Sequence, residues 1–202
     1  DHLEGYRGSR PVRVGNGAVD QLQLDVYGEV LAAADAWRRE HPMSEGVWRT
    51  LRPLVDWVSG HWHLPDSSIW EVRGETRHYV FSKVMNWVAL DRGIRIATDL
   101  SLPADLPAWT AARDAIRAEI LERGWNPTRG AFIQAYDHPD TLDAAALTIP
   151  MMGFLPWDDP RVISTVRAIQ RDLTTPDGEL VFRYLTPDGL DGEEGAFSIC
   201  TF

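Results

Sequence analysis

Residues 78–97 are the part of this sequence that most restricts its fold. Apolar side chains recur there at helical spacing and cover almost the whole circumference of the predicted helix: Tyr79, Val80, Phe81, Val84, Met85, Trp87, Val88, Leu90 and Ile94. A helix that is apolar on nearly every side must be covered by neighbours over most of its surface. The segment therefore predicts a central helix around which other elements pack.

The first helical segment, residues 19–39, carries acids early and two arginines at its end, an order that suits the helix dipole. Its apolar spacing predicts that one face of the helix is buried. That face comprises Val19, Leu22, Val26 and Val30, with Leu24, Tyr27 and Leu31 beside it.

Capping residues and prolines mark the remaining helices. Ser44 is the expected N-cap of a second helix, which contains Pro53, and Asp159 followed by Pro160 is a start signal for the last one. The other predicted elements are helices over 107–123, between Pro139 and Pro150 and over 160–173, long loops at 64–77 and 124–138, and a short strand or extended segment at 180–185. The chain is therefore predicted to be all-α, and helices joined by alternating long and short loops suit a helical-pair array or toroid.

Charge and composition exclude several classes of function. Thirty acidic residues against twenty lysines and arginines give a formal charge of −10, which argues against a general binder of nucleic acid or of anionic membranes. No apolar run approaches the ~20 residues that span a bilayer. The single cysteine, Cys200, rules out an intrachain disulfide framework. Because no signal segment is visible either, we expect a cytoplasmic protein. No cluster of residues with the spacing of metal ligands is visible.

The loop Asp66-Ser67-Ser68-Ile69-Trp70-Glu71-Val72-Arg73 places a carboxyl directly after a tryptophan. A carboxyl beside an indole ring loses part of its hydration, which favours its neutral, proton-donating form. A general acid that acts on a sugar oxygen needs that form. Taken alone, however, the spacing favours the more common arrangement, in which an exposed Glu71 lies beside a buried Trp70.

A second pair of carboxylates, Glu193 and Glu194, lies in a glycine-flanked turn within Asp191-Gly192-Glu193-Glu194-Gly195-Ala196-Phe197. Local evidence favours an acidic capping turn before a helix. If this turn and the loop of Glu71 lie at the same end of a helical array, their carboxylates converge, and paired carboxylates are the usual groups of glycoside hydrolysis. His61 and His63 are weaker candidates, because a helical zinc site favours four-residue spacing.

Six longer motifs extend along nearly the whole chain: GYRGSRPVRVGNGAVDQLQLDVYGEV (5–30), DSSIWEVRG (66–74), SKVMNWVALDR (82–92), YDHPDTLDAA (136–145), GFLPWDDPRV (153–162) and RYLTPDGLDGEEGAFSICTF (183–202). Together, and in this order, they resemble the bacterial branch of glycoside hydrolase family 15, which includes glucoamylases and α,α-trehalases of the bacterial type.

The resemblance implies inverting hydrolysis of an α-linked glucoside in an (α/α)6 toroid, whose loops at one end form a glucose pocket. It implies that Glu71 is the general acid and Glu194 the general base, with Glu193 as the adjacent alternative. It requires no cofactor. The residues expected to bind substrate are Trp70, Arg73 and Lys83.

Members of the family are much longer than this chain and have a β-rich domain before the toroid. We therefore expect residues 1–202 to be the C-terminal portion of a family 15 catalytic domain, with weak or no activity alone. Its apolar faces are expected to be covered by self-association or by a partner chain that completes the toroid. Two alternatives stay open: a non-catalytic carbohydrate-binding or assembly fragment, and a different toroid enzyme, such as a lyase or epimerase, with His or Tyr at the pocket centre.

Overall fold

The computed structural model describes residues 3–12, 15, 18–187 and 195–201. Within these ranges the α-helices are α1 (Asp25–Trp37), α2 (Glu45–His61), α3 (Val80–Asp99), α4 (Leu106–Glu119), α5 (Thr148–Met151) and α6 (Pro160–Asp172). A π-helical turn (Ile120–Gly124) extends α4, and 3-10 turns lie at Tyr6–Gly8, Ala144–Leu147 and Ser198–Cys200. A small antiparallel sheet pairs β1 (Trp125–Asn126) with β2 (Ala131–Phe132). The mainly helical architecture confirms the predicted fold class.

Helix α3 is the central element, as its apolar circumference predicts. Every residue from Val80 to Leu90 is buried, and the helix packs against α1, α2 and α4. The core around it includes Leu31 of α1, Val55 of α2 and Ile116 of α4. Because neighbours cover α3 on most sides, its stability comes from tertiary packing rather than from an amphipathic pattern of its own.

The predicted helix starts at Ser44 and Asp159 are confirmed. The Ser44 hydroxyl accepts the backbone N–H of Val47 (3.3 Å), and Asp159 accepts that of Arg161 (2.9 Å). Each bond satisfies one of the N–H groups that have no partner within the helix. Helix α2 continues past Pro53 to His61.

The prediction for the first helix is wrong in its start and in the centre of its buried face, although Leu24 and Leu31, predicted to lie beside that face, are buried. Helix α1 begins at Asp25, and Val19 lies outside it with 79% of its surface exposed. Val26 and Val30 are also exposed, whereas the residues that face the interior include Gly28 and Asp35. A glycine and an aspartate contribute nothing to an apolar pattern, so hydrophobic spacing alone centres the buried face on the valines instead of on the side that carries Leu31.

Gly28 lets α1 and α3 approach closely, because a Cβ atom at this position would lie 2.2 Å from the carbonyl oxygen of Met85. We expect Gly28→Ala to push the helices apart and to lower the free energy of unfolding by about 1–3 kcal/mol. Gly60→Ala in α2 is the matched control: apart from the backbone of its own helix, no atom lies within 4 Å of the added Cβ, so better helix propensity should raise stability by about 0.5–1 kcal/mol. Urea unfolding measures both, and an unchanged midpoint for Gly28→Ala would contradict the close approach.

The long loops predicted at 64–77 and 124–138 converge beside the N-terminus of α3. Single β-bridges join Asp66 to Arg77 and Tyr79 to Ala135. The extended segment predicted at 180–185 joins the same region, because the ring of Tyr184 lies 6.4 Å from that of Trp70. Its own β-bridges pair Val181 with Thr174 and Phe182 with Ala196. These contacts bring three segments that are distant in sequence to one place.

Candidate functional site

The loop that begins at Asp66 is anchored by that buried side chain. Its Oδ2 accepts hydrogen bonds from the backbone N–H groups of Leu24 (3.0 Å) and Ser68 (3.2 Å). It also accepts one from the hydroxyl of Ser82 (2.7 Å). Burial raises the pKa of Asp66, and these donors oppose that rise. Asp66 therefore ties the loop to the start of α1 and to the first turn of α3.

Two residues of this loop have the left-handed backbone conformation that favours glycine, namely Ser68 (φ 57°) and Glu71 (φ 53°). Such a conformation costs about 1–3 kcal/mol and persists only where its surroundings impose it. Here the N–H of Glu71 donates to the carbonyl oxygen of Ser68 (3.2 Å). Gln21 Nε2 donates to the carbonyl oxygens of Val72 (2.9 Å) and Glu71 (3.4 Å). Strain of this kind concentrates at functional sites.

The carboxyl group of Glu71 remains accessible although its backbone is fixed. Its side chain is 39% exposed, and one guanidinium nitrogen of Arg73 lies 3.7 Å from Oε2. An ion pair in such accessible surroundings contributes little to stability. The pair instead leaves a carboxyl and a guanidinium side by side, where an incoming ligand can reach both.

The indole of Trp70 connects four parts of the chain. Its Nε1–H donates to both carboxylate oxygens of Asp143 (2.9 and 3.1 Å). The guanidinium of Arg183 lies 5.4 Å from the centre of an indole ring, within cation–π range. The ring of Phe197 meets the indole edge-on, with 5.8 Å between centroids, and that of Tyr184 lies at 6.4 Å. Trp70 is thus held by a hydrogen bond at one end and by rings and a cation elsewhere.

The predicted base Glu194 and its neighbour Glu193 lie outside the described residues, but the residues that follow them do not. Ala196 forms a β-bridge with Phe182, and the N–H of Phe197 donates to the carbonyl oxygen of Val181 (3.1 Å). The motifs of the two predicted carboxylates are therefore in contact through Trp70 and Phe197.

Lys83 lies beneath this region rather than on its surface. The side chain is buried in α3, and its Nζ donates to the carbonyl oxygens of Trp62 (2.5 Å) and Leu64 (2.7 Å). Burial lowers the pKa of Lys83 to about 8. This position does not favour the predicted contact with substrate, because the ammonium is enclosed and already has two backbone acceptors.

Asp143 is a part of the site that is not among the predicted residues. It is 4% exposed, accepts the N–H of Ala145 (2.8 Å) and so caps the turn Ala144–Leu147. Burial raises its pKa to about 6, against the effect of its hydrogen bonds and of Arg183. An aspartate before a run of alanines is typical of a helix cap, so local sequence gives no sign of its contact with Trp70.

A small cavity of about 80 Å³ lies beside the loop, next to Val72 and Gly74. The residues with polar side chains that line it are Glu75, Arg77, Tyr79, Gln134, His138, Tyr184 and Thr186. In the part of the chain that the structure describes, no three potential metal ligands among His, Cys, Asp and Glu come together. Over the same residues, no helix is long and apolar enough to span a bilayer.

The helices and the loops that meet at the N-terminus of α3 define part of a helical array of the (α/α)6 toroid type. The fold is that of a solved bacterial glucoamylase in complex with acarbose, which superposes with a TM-score of 0.70 at 15% identity over 89% of this chain and 31% of that one. The family model of glycosyl hydrolases family 15 matches residues 1–202. The chain belongs to that family.

Relatives with higher sequence identity carry the name trehalase. The trehalase of Mycobacterium tuberculosis is 48% identical over 206 residues, which cover 100% of this chain and 30% of that protein. The trehalase of Thermoplasma volcanium is 42% identical over 200 residues, which cover 98% of this chain and 32% of that protein. The chain thus spans about a third of the length of these curated relatives.

Proposed function

We propose that residues 1–202 are the C-terminal portion of a family 15 catalytic domain. The polypeptide that contains them, called the full-length polypeptide below, hydrolyses α-glucosidic bonds with inversion and releases glucose. Membership of the family supports a glycoside hydrolase, and the names of the relatives favour trehalose as the first substrate to test. The toroid fold agrees with this assignment but does not choose among α-glucosides.

The contact between Trp70 and Phe197 is the observation that carries the proposal. Trp70 directly precedes Glu71, and Phe197 follows Glu194 by three residues. The two rings lie 5.8 Å apart. Since three residues of extended chain span at most about 11 Å, Glu194 is within reach of the space beside Glu71. Inverting glycosidases need a carboxyl separation of roughly 6.5–9.5 Å, which leaves room for one water.

In this proposal Glu71 gives its proton to the glycosidic oxygen while the bond from that oxygen to the anomeric carbon breaks. Glu194 takes a proton from a water, whose oxygen forms the new bond on the opposite face of the sugar. One proton is delivered and one is removed, so exchange with solvent restores both groups for the next cycle. Trp70 walls the glucose pocket, and Arg73 binds a sugar hydroxyl or orients Glu71.

The stereochemistry of the products tests this function. Because both anomeric carbons of trehalose have the α configuration, inversion at one of them yields one β-glucose and one α-glucose, whereas retention yields α-glucose alone. Proton NMR recorded before mutarotation should therefore show equal initial amounts of the two anomers from the full-length polypeptide. The isolated 202-residue chain should give weak or no glucose release. Initial formation of α-glucose alone would refute inversion, and substantial activity of the isolated chain would refute the dependence on the rest of the toroid.

A further inference from the structure

We propose that Asp143 is a positioning residue for the general acid. Its carboxylate fixes the indole of Trp70, and through Trp70 it fixes the adjacent Glu71 in the orientation that proton donation needs. This inference rests on the proposed function, because it assigns to Asp143 an effect on the same site. Asp143 acts through another residue and is not itself a group that contacts substrate.

The contacts of Asp143 exceed what a cap requires. A capping aspartate needs one oxygen on a backbone N–H and leaves the other to solvent. Asp143 accepts the N–H of Ala145 on Oδ1, but both of its oxygens also lie within 3.1 Å of Trp70 Nε1. The side chain of Gln134 also acts to lower the pKa of this carboxyl. With only 4% of its surface exposed, this carboxylate is oriented toward the indole and shielded from competing water.

Asp159 provides the comparison within the same chain. It also caps a helix by accepting the N–H group two residues later, that of Arg161 (2.9 Å). Its remaining contacts run to the guanidinium of that same arginine, and it contacts no residue of the loop at Glu71 among those the structure describes. The two aspartates thus share a local role, and the contact with Trp70 distinguishes Asp143.

The indole is well placed to pass this constraint to Glu71. Trp70 and Glu71 share a planar peptide bond, and Glu71 has a left-handed backbone that persists only while its surroundings impose it. The other contacts of the indole, with Arg183 and Phe197, restrain its faces and edges but supply no directional hydrogen bond. Phe197 belongs to the motif of Glu194, so a displaced indole also disturbs the contact between the two motifs.

A double-mutant cycle in the full-length polypeptide tests the inference, with kcat and KM for trehalose as readouts. We expect Asp143→Asn to lower kcat on the order of 10- to 100-fold, as a small misplacement of a reacting group does. Trp70→Phe keeps a ring and removes the N–H donor, so it should cause a loss of similar size. If Asp143 acts through Trp70, the double variant should be no slower than the slower single variant. Multiplicative losses would overturn the inference.

Asp159→Asn is the matched control, because it makes the same change at a helix cap that has no contact with Trp70. Asparagine caps a helix about as well as aspartate does, so this variant should leave kcat within about twofold of the parent. Equal losses of kcat in the two variants would show that Asp143 acts only as a helix cap, which would overturn the inference. If Asp143→Asn does not fold, Trp70→Phe tests the same hydrogen bond from the side of the donor. An unchanged kcat for Trp70→Phe would then overturn the inference.

Glu71→Gln separates failure of this inference from failure of the proposed function. If Glu71→Gln abolishes activity while Asp143→Asn retains the parent kcat, the function stands and only the role of Asp143 is wrong. If Glu71→Gln retains activity, the proposed function fails, and the role of Asp143 fails with it.

Discussion

Replacing Glu71 by glutamine in the full-length polypeptide should lower kcat for trehalose by about 10²- to 10⁴-fold, the usual contribution of a positioned general acid. Glutamine matches glutamate in size but has no acidic proton to give to the leaving oxygen. Glu75→Gln is the control, because it makes the same change on the same loop. The side chain of Glu75 is 89% exposed, with only a 3.9 Å ion pair to Arg77, so this variant should match the parent.

A substrate with a better leaving group distinguishes the acid from the base. Fluoride leaves without prior protonation, so Glu71→Gln should retain most of the parent activity toward α-glucosyl fluoride. Glu194→Gln should lose activity toward both trehalose and the fluoride, because a water must still be deprotonated in either case. Parent-like hydrolysis of trehalose by Glu71→Gln, or an equal loss on both substrates, would show that Glu71 is not the acid.

Replacing Asp35 by alanine should lower the free energy of unfolding by about 3–5 kcal/mol, the cost of removing one member of a buried ion network. Asp35 is 1% exposed, and its carboxylate oxygens lie 2.8–3.9 Å from the guanidinium groups of Arg38, Arg39, Arg92 and Arg95. Burial acts to raise the pKa of Asp35, but hydrogen bonds from Arg38 and Arg39, together with the positive charges of Arg38 and Arg95, outweigh it and lower the pKa. Without this carboxylate, Arg38 keeps its ion pair with Asp99, and Arg92 and Arg95 keep theirs with Asp91, but the four guanidinium groups lose their common buried partner.

Asp114→Ala provides the control for Asp35→Ala. Asp114 is exposed and pairs with Arg113 at 2.8 Å, and exposed pairs contribute about 0–1 kcal/mol. Urea unfolding at pH 7 measures both variants. Because the pKa of Asp35 is lowered in the folded state, its contribution is present above its unfolded pKa and is lost as the pH falls through the folded one. A loss below about 1 kcal/mol for Asp35→Ala would contradict the network.

The sequence predicts best those structural elements that are determined by residues close together in the chain. The apolar circumference of α3 and the caps at Ser44 and Asp159 depend on residues within a turn or two of each other. The buried face of α1 is not predictable in this way. The buried face of α1 depends on the space that Gly28 leaves for α3 and on the arginines that surround Asp35. Neither feature contributes to the spacing of apolar residues.

The features of the candidate site also differ in whether they depend on neighbouring residues or on tertiary contacts. The adjacency of Trp70 and Glu71 is visible in the sequence, because it is a property of neighbouring residues. The contact of Trp70 with Asp143 spans 73 positions and arises only when the loops fold together. Lys83 is predicted from the sequence to bind substrate, but its surroundings in the fold do not favour that role. A lysine on a helix gives no sign that the carbonyl groups of Trp62 and Leu64 will accept its hydrogen bonds.

The distance between the carboxyl carbons of Glu71 and Glu194 tests the account most directly. It can be measured in a crystal structure of the full-length polypeptide with a non-hydrolysable trehalose analogue bound. We expect a separation of roughly 6.5–9.5 Å, with one carboxyl beside the glycosidic oxygen and the other facing a water across the sugar ring. A separation of about 5–5.5 Å would indicate a retaining mechanism, and carboxyl groups that point away from the bound sugar would contradict the account altogether.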